Sequence, residues 1–459
     1  MTSDVLVVGG GPAGMMAGLL LARAGVSVTV FEKHADFFRD FRGDTVHPST
    51  MEILDQLGML QRFLKRPHDE LYTARIRVAG TEYVIGDLSH LDTPAPFIAM
   101  MPQWDFLDFL RDEAAIYPGF SLSMEQPVQD FVEQGDRVVG VRLEDGGELR
   151  ANRLVIAADG RSSLVRRLGM LHVEEIGAPM DVFWFRMPKA DKSGDALRGS
   201  IETGRMVVLI DRQTYWQCAF LIPKGSGEAI RARGIDWIAS EVAKAFPDLD
   251  FSGEGGLRSS ADLHLLEVAL DRLTCWHRPG LLAIGDAAHA MSPIGGIGIN
   301  LAIQDAVAAA NILAAPMAAG KMVDDRLHNV QNRRLFSTRV VQAAQKAAQD
   351  AVIGRVFNGA PIVRAAWPVR MLDRYPLLRR IPGRLIGLGI RRERVRSLWP
   401  RPTAPPETPL PSRDSRGSPR RIARSSSTAG RGRRGSPDPW SSCRSRRSRH
   451  TPARASRRI

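Results

Sequence analysis

Cysteine is scarce in this 459-residue chain: three residues, Cys218, Cys275 and Cys443. They lie far apart and form no Cys-x-x-Cys pair. That excludes a disulfide framework, a structural zinc site and a redox-active dithiol, and it points to a reducing compartment. Long apolar runs are missing as well. Nothing approaches the roughly 20 residues of a spanning helix, and the stretch 307–319 is interrupted by Asn311 and Pro316. The first strand-like run begins at about residue 4, which leaves no room for a signal peptide. A cytoplasmic protein without a transmembrane segment is expected.

A basic body is also lacking. The formal charge of +13 suggests a nucleic-acid binder, but residues 401–459 hold 16 arginines and only three acids, Glu407, Asp414 and Asp438. The first 400 residues are left with 47 bases and 47 acids. The body is neutral, and no nucleic-acid partner is expected for it. The tail is rich in Pro, Ser, Gly and Arg, cannot bury a core, and should be disordered. An appended extension accounts for it better than an RNA-binding segment.

What is present begins at Asp4-Val-Leu-Val-Val, an apolar run of strand length. Glycines at 9, 11 and 14 follow, then an apolar helical run to Arg23 and a β-branched strand from Val26 to Glu32. Gly9 permits a tight turn, Gly11 lets backbone amides approach a pyrophosphate, and Gly14 lets the helix pack close to the strand. The helix N-terminus offers unpaired N–H groups to phosphates. Glu32 is placed for a ribose hydroxyl. An ADP-containing dinucleotide is indicated. Only one such fingerprint occurs, so a second dinucleotide would have to bind transiently in a cleft.

Phe41 to Gly58 reads as a loop carrying Arg42, Asp44 and His47, followed by a helix entered at Pro48. Arg42 suits an anionic cofactor. His47 is a candidate catalytic group only because of its loop. Residues 73–86 alternate with period two, as a half-buried strand pair does. A helix opens at Gln103, and residues 120–150 read as a β-meander. The run Leu154 to Ala158 is a buried strand that breaks at Asp159-Gly160 into an Arg-rich helix. Asp159 either serves a ligand or caps that helix.

Residues 180–270 read as sheet again, with Trp184, Tyr215 and Trp216 as candidates for an aromatic pocket. A last buried strand ends at Gly285-Asp286, and His289, Pro293 and glycines 295, 296 and 298 follow before Asn300 opens an Ala-rich helix. Bare amides at such a helix start favour anionic character. His289 sits among small residues and reads as structural. Residues 323–400 look helical; the Arg-studded amphipathic piece 379–392 suits either a membrane or partner surface or docking on the first domain, and docking is expected.

In this order the motifs resemble the FAD-dependent aromatic-hydroxylase family, the p-hydroxybenzoate hydroxylase-like flavoprotein monooxygenases. The resemblance covers residues 1 to about 395. It implies an α/β fold: a Rossmann-like FAD-binding domain from 1–72, 96–180 and 271–330, and an inserted, mostly antiparallel substrate domain from 73–95 and 181–270. C-terminal helices over 331–400 and the tail complete the chain. It also implies FAD binding by Gly9, Gly11, Pro12, Ala13 and Gly14, by Glu32 and Lys33, and by Arg42 and Gln103. Asp159 and Gly160, Asp286 and Pro293, and the backbone of Gly298, Ile299 and Asn300 complete that set, with no metal.

The activity implied is hydroxylation of an aromatic, phenolic small molecule with NADPH or NADH and O2, through a C4a-hydroperoxyflavin kept dry by the protein. A homodimer is compatible with this reading. Two same-fold alternatives are a flavin halogenase and an isoprenoid-lipid reductase. The halogenase element Trp-x-Trp-x-Ile-Pro is absent, the nearest text being Phe183-Trp-Phe-Arg-Met-Pro188. A third alternative is an FAD-holding binding protein whose basic tail contacts nucleic acid.

Overall fold

Strands Leu281–Ala283, Glu148–Ala157, Ser3–Val8, Val28–Phe31 and Phe120–Ser123 lie side by side in that order, all parallel. This is a computed structural model, and it describes residues 3–38, 44–190, 196–253 and 255–396. Arg42 and the 401–459 tail therefore lie outside the described residues. Val5, Val7 and Val30 are fully buried, as expected of a parallel sheet covered on both faces.

Phe120–Ser123 corrects the meander expected over 120–150. It pairs with Val28–Phe31, because a sheet edge was available to it beyond its local pattern. The meander itself is Val128–Gln134, Arg137–Leu143 and the first half of Glu148–Ala157.

Helix Pro12–Arg23 starts on a proline in its first turn, where the missing N–H costs nothing. It packs between the sheet, helix Gln103–Ala114 and helix Gly298–Ala318. Met15, Met16, Leu19, Leu20 and Leu21 are all at most 1 % exposed, and burial of each contributes roughly 1.5–3 kcal/mol. The long helix runs through Asn311 and Pro316, where the sequence alone predicts interruptions. By length and composition Ile294–Ala318 could cross a membrane, with mean hydropathy 1.5, yet 72 % of that window is buried inside the protein. It is the core helix of the first layer.

A second sheet has the order His264–Leu266, Met180–Pro188, Tyr215–Pro223, Arg205–Asp211, Leu197–Glu202, Thr73–Val78, Thr81–Asp87. All neighbours are antiparallel except Leu197–Glu202 with Thr73–Val78. Period-two alternation splits its faces. Phe183, Phe185, Val207, Leu209, Trp216, Cys218 and Phe220 pack with Ile238, Val242 and Ala245 of helix Ile235–Ala245. Val182, Trp184, Val208, Ile210, Ala219 and Leu221 lie on the other face, in clusters that include Ile98, Met100, Ile294 and Ile386.

Helix Leu327–Ala348 packs on Gly298–Ala318. The later helices Trp367–Arg374 and Pro376–Leu388 dock chiefly on strand Thr81–Asp87, an edge of the second sheet, and Pro376–Leu388 also touches helix Pro48–Gln56. The docking surface is therefore largely the second sheet, where the first domain alone was expected. Small residues make this fit possible: a Cβ on Gly383 would stand 1.9 Å from the Asp87 carbonyl oxygen.

Candidate active site

The parallel strands end at a common edge, and the candidate motifs are the segments that leave it: Gly9–Gly14 after Val8, Glu32 after Phe31, Asp159-Gly160 after Ala157, and Gly285-Asp286 after Ala283. That edge is where open α/β sheets bind ligands. Sequence separation disappears there. Gly9 has φ +105°, and a Cβ on it would lie 2.5 Å from the Ala158 carbonyl oxygen and 2.7 Å from the Asp159 Cα. A Cβ on Gly14 would lie 2.0 Å from the Gly9 carbonyl oxygen. A Cβ on Gly285 would meet Ala13 Cβ at 2.9 Å. The first motif is thus in contact with both of the others.

Glu32 is half-buried and grips the turn: Gly10 N–H donates to its Oε2 at 3.1 Å, and His34 N–H to its Oε1 at 3.2 Å. Lys33 beside it is exposed. Asp159 does what a capping residue does. Ser163 Oγ–H donates to its Oδ1 at 2.5 Å and Leu164 N–H to its Oδ2 at 2.8 Å. Burial raises its carboxyl above the ordinary carboxylate value, against the pull of these bonds. Gly160 beside it has φ +83°.

Two arginines tie the second motif to the third. Arg161 Nε donates to Asp286 Oδ2 at 3.2 Å, and its Nη2 donates to the Met291 carbonyl at 3.2 Å. Arg166 donates to the carbonyls of Ala287 and Asp286 at 3.0 and 3.1 Å, and to Asp271 Oδ1 at 2.6 Å. The sequence by itself assigns neither arginine a role. Their position just after Asp159-Gly160 was the available signal.

His289 belongs to a buried ionic cluster. Asp305 Oδ2 accepts from Gly285 N–H at 3.0 Å and lies 2.6 Å from His289 Nε2, while its Oδ1 accepts from Arg334 Nε at 2.9 Å. Burial alone would raise the Asp305 carboxyl. Charge and hydrogen bonds from His289 and Arg334 outweigh that and hold it below its ordinary value.

The glycine loop before the long helix is pinned to the segment around His47. Thr45 Oγ–H donates to the Gly296 carbonyl at 2.9 Å. Asn300 Oδ1 accepts from His47 N–H at 3.1 Å and from Thr50 Oγ–H at 2.7 Å. Two helix N-termini, at Pro48 and Gly298, are joined through this one side chain. Pro293 and Ile299 are half-buried beside it. Gln103 is the half-buried first residue of its helix.

His47 itself is fully buried. Its Nδ1 lies 2.8 Å from the Ile386 carbonyl oxygen, which can only accept, so Nδ1 carries the proton. Its Nε2 has no partner among the described residues. Burial pushes the imidazole down to about 4, against the opposing effect of that carbonyl. Asp44, three residues earlier, pairs with Arg212 of the second sheet and accepts from Gln217 Nε2 at 2.9 Å. Arg212 and Gln217 had no signal in the sequence that separated them from ordinary strand-end residues.

The three aromatic candidates part company. Trp184 lies on the sheet face turned toward Ile98, Met100 and Ile386, and its indole N–H is buried without a partner. Trp216 is on the opposite face, in the core against helix Ile235–Ala245. Tyr215 sits at a strand start beneath the Arg186 guanidinium, 4.7 Å from the ring centre.

This strand-end edge suits a dinucleotide. It offers a glycine turn too tight for side chains, helix N-termini, and the buried Arg161 Nη1 without a protein partner beside Asp286. A family model described as FAD binding domain matches residues 2–344. The 6-methylpretetramide 4-monooxygenase of Streptomyces rimosus is 32 % identical over 387 residues, 83 % of this chain and 92 % of that protein. The rifampicin monooxygenase of Streptomyces venezuelae is 30 % identical over 316 residues, 66 % of this chain but only 62 % of that protein.

Among solved structures, the anhydrotetracycline hydroxylase OxyS from Streptomyces rimosus superposes with a TM-score of 0.67 at 22 % identity, over 85 % of this chain and 77 % of that one. PqsL of Pseudomonas aeruginosa, described as a probable FAD-dependent monooxygenase, gives 0.62 at 22 % identity, over 78 % and 99 %. These two likenesses concern the fold. Motifs, family model and relatives agree: the chain belongs to the FAD-binding-domain family of flavin-dependent aromatic monooxygenases, with FAD as its cofactor.

Proposed function

We propose that the protein hydroxylates a phenolic small molecule, using NADPH or NADH and O2. The observation that supports this most is the meeting of the three strand-end motifs at one sheet edge, with the Trp184 face of the second sheet packed with Ile294 of the glycine loop. Glu32 takes a hydroxyl of the adenosine ribose, and Lys33 flanks it. Gly9, Gly11, Pro12, Ala13 and Gly14 cradle the pyrophosphate. Arg42 and Gln103 touch the cofactor, Asp159 and Gly160 border both FAD and the passing nicotinamide, and Asp286 with Pro293 holds the middle of FAD. The N–H groups of Gly298, Ile299 and Asn300 lend positive potential to the ring edge.

The bound flavin supplies the redox chemistry that activates oxygen, while the chain binds, orients and excludes water. His47, neutral above about pH 4, offers Nε2 as a hydrogen-bond acceptor for a substrate hydroxyl. It orients that proton and is too weak a base to retain it. The buried Trp184 N–H is a second polar group proposed to meet the substrate.

The test is to purify the yellow protein and screen phenols for those that accelerate NAD(P)H oxidation, with O2 uptake, product and H2O2 all measured. The expected result is acceleration coupled to hydroxylated product. No acceleration by any phenol, with all O2 recovered as H2O2, overturns the reading.

A further inference from the structure

Every exposed residue from Val363 to Leu385 is apolar, aromatic, proline or arginine. Trp367 is 69 % exposed, Leu377 70 % and Ile381 60 %, a concentration of large apolar side chains that soluble surfaces avoid. Their spacing makes them stripes. Leu377, Ile381 and Leu385 recur at i, i+4 and i+8 on helix Pro376–Leu388, with Arg380 and Arg384 alongside. Trp367, Met371 and Tyr375 repeat the pattern on helix Trp367–Arg374 and its cap, with Arg370 and Arg374 alongside.

Both helices pack on strand Thr81–Asp87, so both turn their outer sides away from the same strand. Their inner sides are built differently. Gly383 presses on the Asp87 carbonyl, and Asp373, the sole acid from 363 to 385, accepts from Val84 N–H at 3.0 Å. Arg364, Arg370, Arg374, Arg380 and Arg384 are exposed and form no salt bridge with a described residue, although, against the effect of burial, the charge of Arg380 adds to the Ser89 hydrogen bonds that hold the Asp87 carboxyl below its ordinary value.

We propose that this face docks on an anionic lipid surface. The apolar stripes would enter the boundary between headgroups and acyl chains, Trp367 and Tyr375 would sit at headgroup level, and the arginines would pair with lipid phosphates. A second copy of the chain is the poorer occupant. A two-fold interface sets a patch against itself, and here it would bring ten like charges together. Docking would also matter for the candidate site. The Ile386 carbonyl on the inner side of the same helix holds His47, so only the width of one helix, about 10 Å, would separate lipid from that residue.

The experiment is cosedimentation of the full chain with vesicles of phosphatidylcholine alone or with about one third phosphatidylserine, near physiological salt. Wild type should pellet with the anionic vesicles. The double variant Leu377→Glu, Ile381→Glu should partition at least about tenfold less, with unchanged flavin content and thermal midpoint. Arg380→Glu, Arg384→Glu should do likewise. Because every variant keeps the 401–459 arginines, equal binding by wild type and both variants would assign the binding to the tail and overturn the proposal. So would the absence of wild-type binding, equal pelleting with neutral vesicles, or a concentration-dependent wild-type dimer that the apolar double variant dissociates.

Discussion

Arg161 and Asp286, 125 residues apart in the chain, meet side chain to side chain, with Nε 3.2 Å from Oδ2. The second and third motifs are therefore one unit of the cleft. Both side chains keep about 30 % of their surface exposed, so the pair adds at most about 1 kcal/mol to stability. On the proposed role of Asp286, its use is to aim that carboxylate at the cofactor. Asp286→Ala should weaken FAD retention by about tenfold or more while moving the apoprotein Tm by roughly 1 °C. Flavin absorbance after gel filtration and a thermal melt measure both. A fully flavinylated variant with normal turnover would sink the assignment.

Close approach at the first turn makes a sterically driven prediction. Gly14→Ala places a methyl group 2.0 Å from the Gly9 carbonyl oxygen, and the helix must shift off the strand. A cost of about 1–3 kcal/mol and lowered flavin content are expected. Gly354→Ala is the control, since a Cβ there meets nothing within 4 Å. It should stabilise by up to about 1 kcal/mol.

Burial of His47 links stability to pH. Its imidazole falls from an ordinary 6.5 to about 4 on folding. Between those values the unfolded chain holds the extra proton, so stability declines as pH drops through that window, and the full effect is about 3 kcal/mol. His47→Gln should flatten this dependence, as read from urea midpoints at about pH 7.5 and about pH 4.5. Parallel slopes in both proteins would refute it.

The cluster under the third motif should be costly to open. Arg334 and Asp305 are both 0 % exposed, and Glu393 is 3 % exposed. Arg334→Ala takes a buried guanidinium from two buried carboxylates, leaving Asp305 to His289 and Glu393 to Arg333, and should cost about 3 kcal/mol, lowering Tm by roughly 4 °C. Asp305→Asn carries a pH signature. The Asp305 carboxyl is held below its ordinary value, so its contribution is present at neutral pH and is lost as pH falls below the usual carboxylate range. The stability gap between wild type and Asp305→Asn should close there. A gap that persists in acid would contradict the assignment.

Deleting 401–459 removes 16 arginines and none of the cleft residues. Flavin content and NAD(P)H oxidation should stay at wild-type levels. Loss of either would favour a tail with a role in the flavoprotein itself.

The sequence alone determined the local devices: the glycine turn, the acid ending the second strand, the Asp-Gly and Gly-Asp strand ends, and the helix starts. These depend on neighbours a few residues away, so spacing and residue type carry them. The common edge of a parallel sheet then makes their convergence legible, since each motif follows a strand. Other features were decided only by packing between distant segments. Which face of the second sheet each tryptophan joins depends on register: Trp184 turns toward Ile386 and Trp216 toward helix Ile235–Ala245. Asp44 is buried because Arg212, 168 positions on, arrives to neutralise it. His47 is held neutral by burial, against the pull of a carbonyl that the far C-terminal helices bring to its Nδ1. Arg161 reaches Asp286, and the outer stripe from Trp367 to Leu385 stays uncovered, for the same reason: the free energy of each depends on partners that only the folded chain brings within reach.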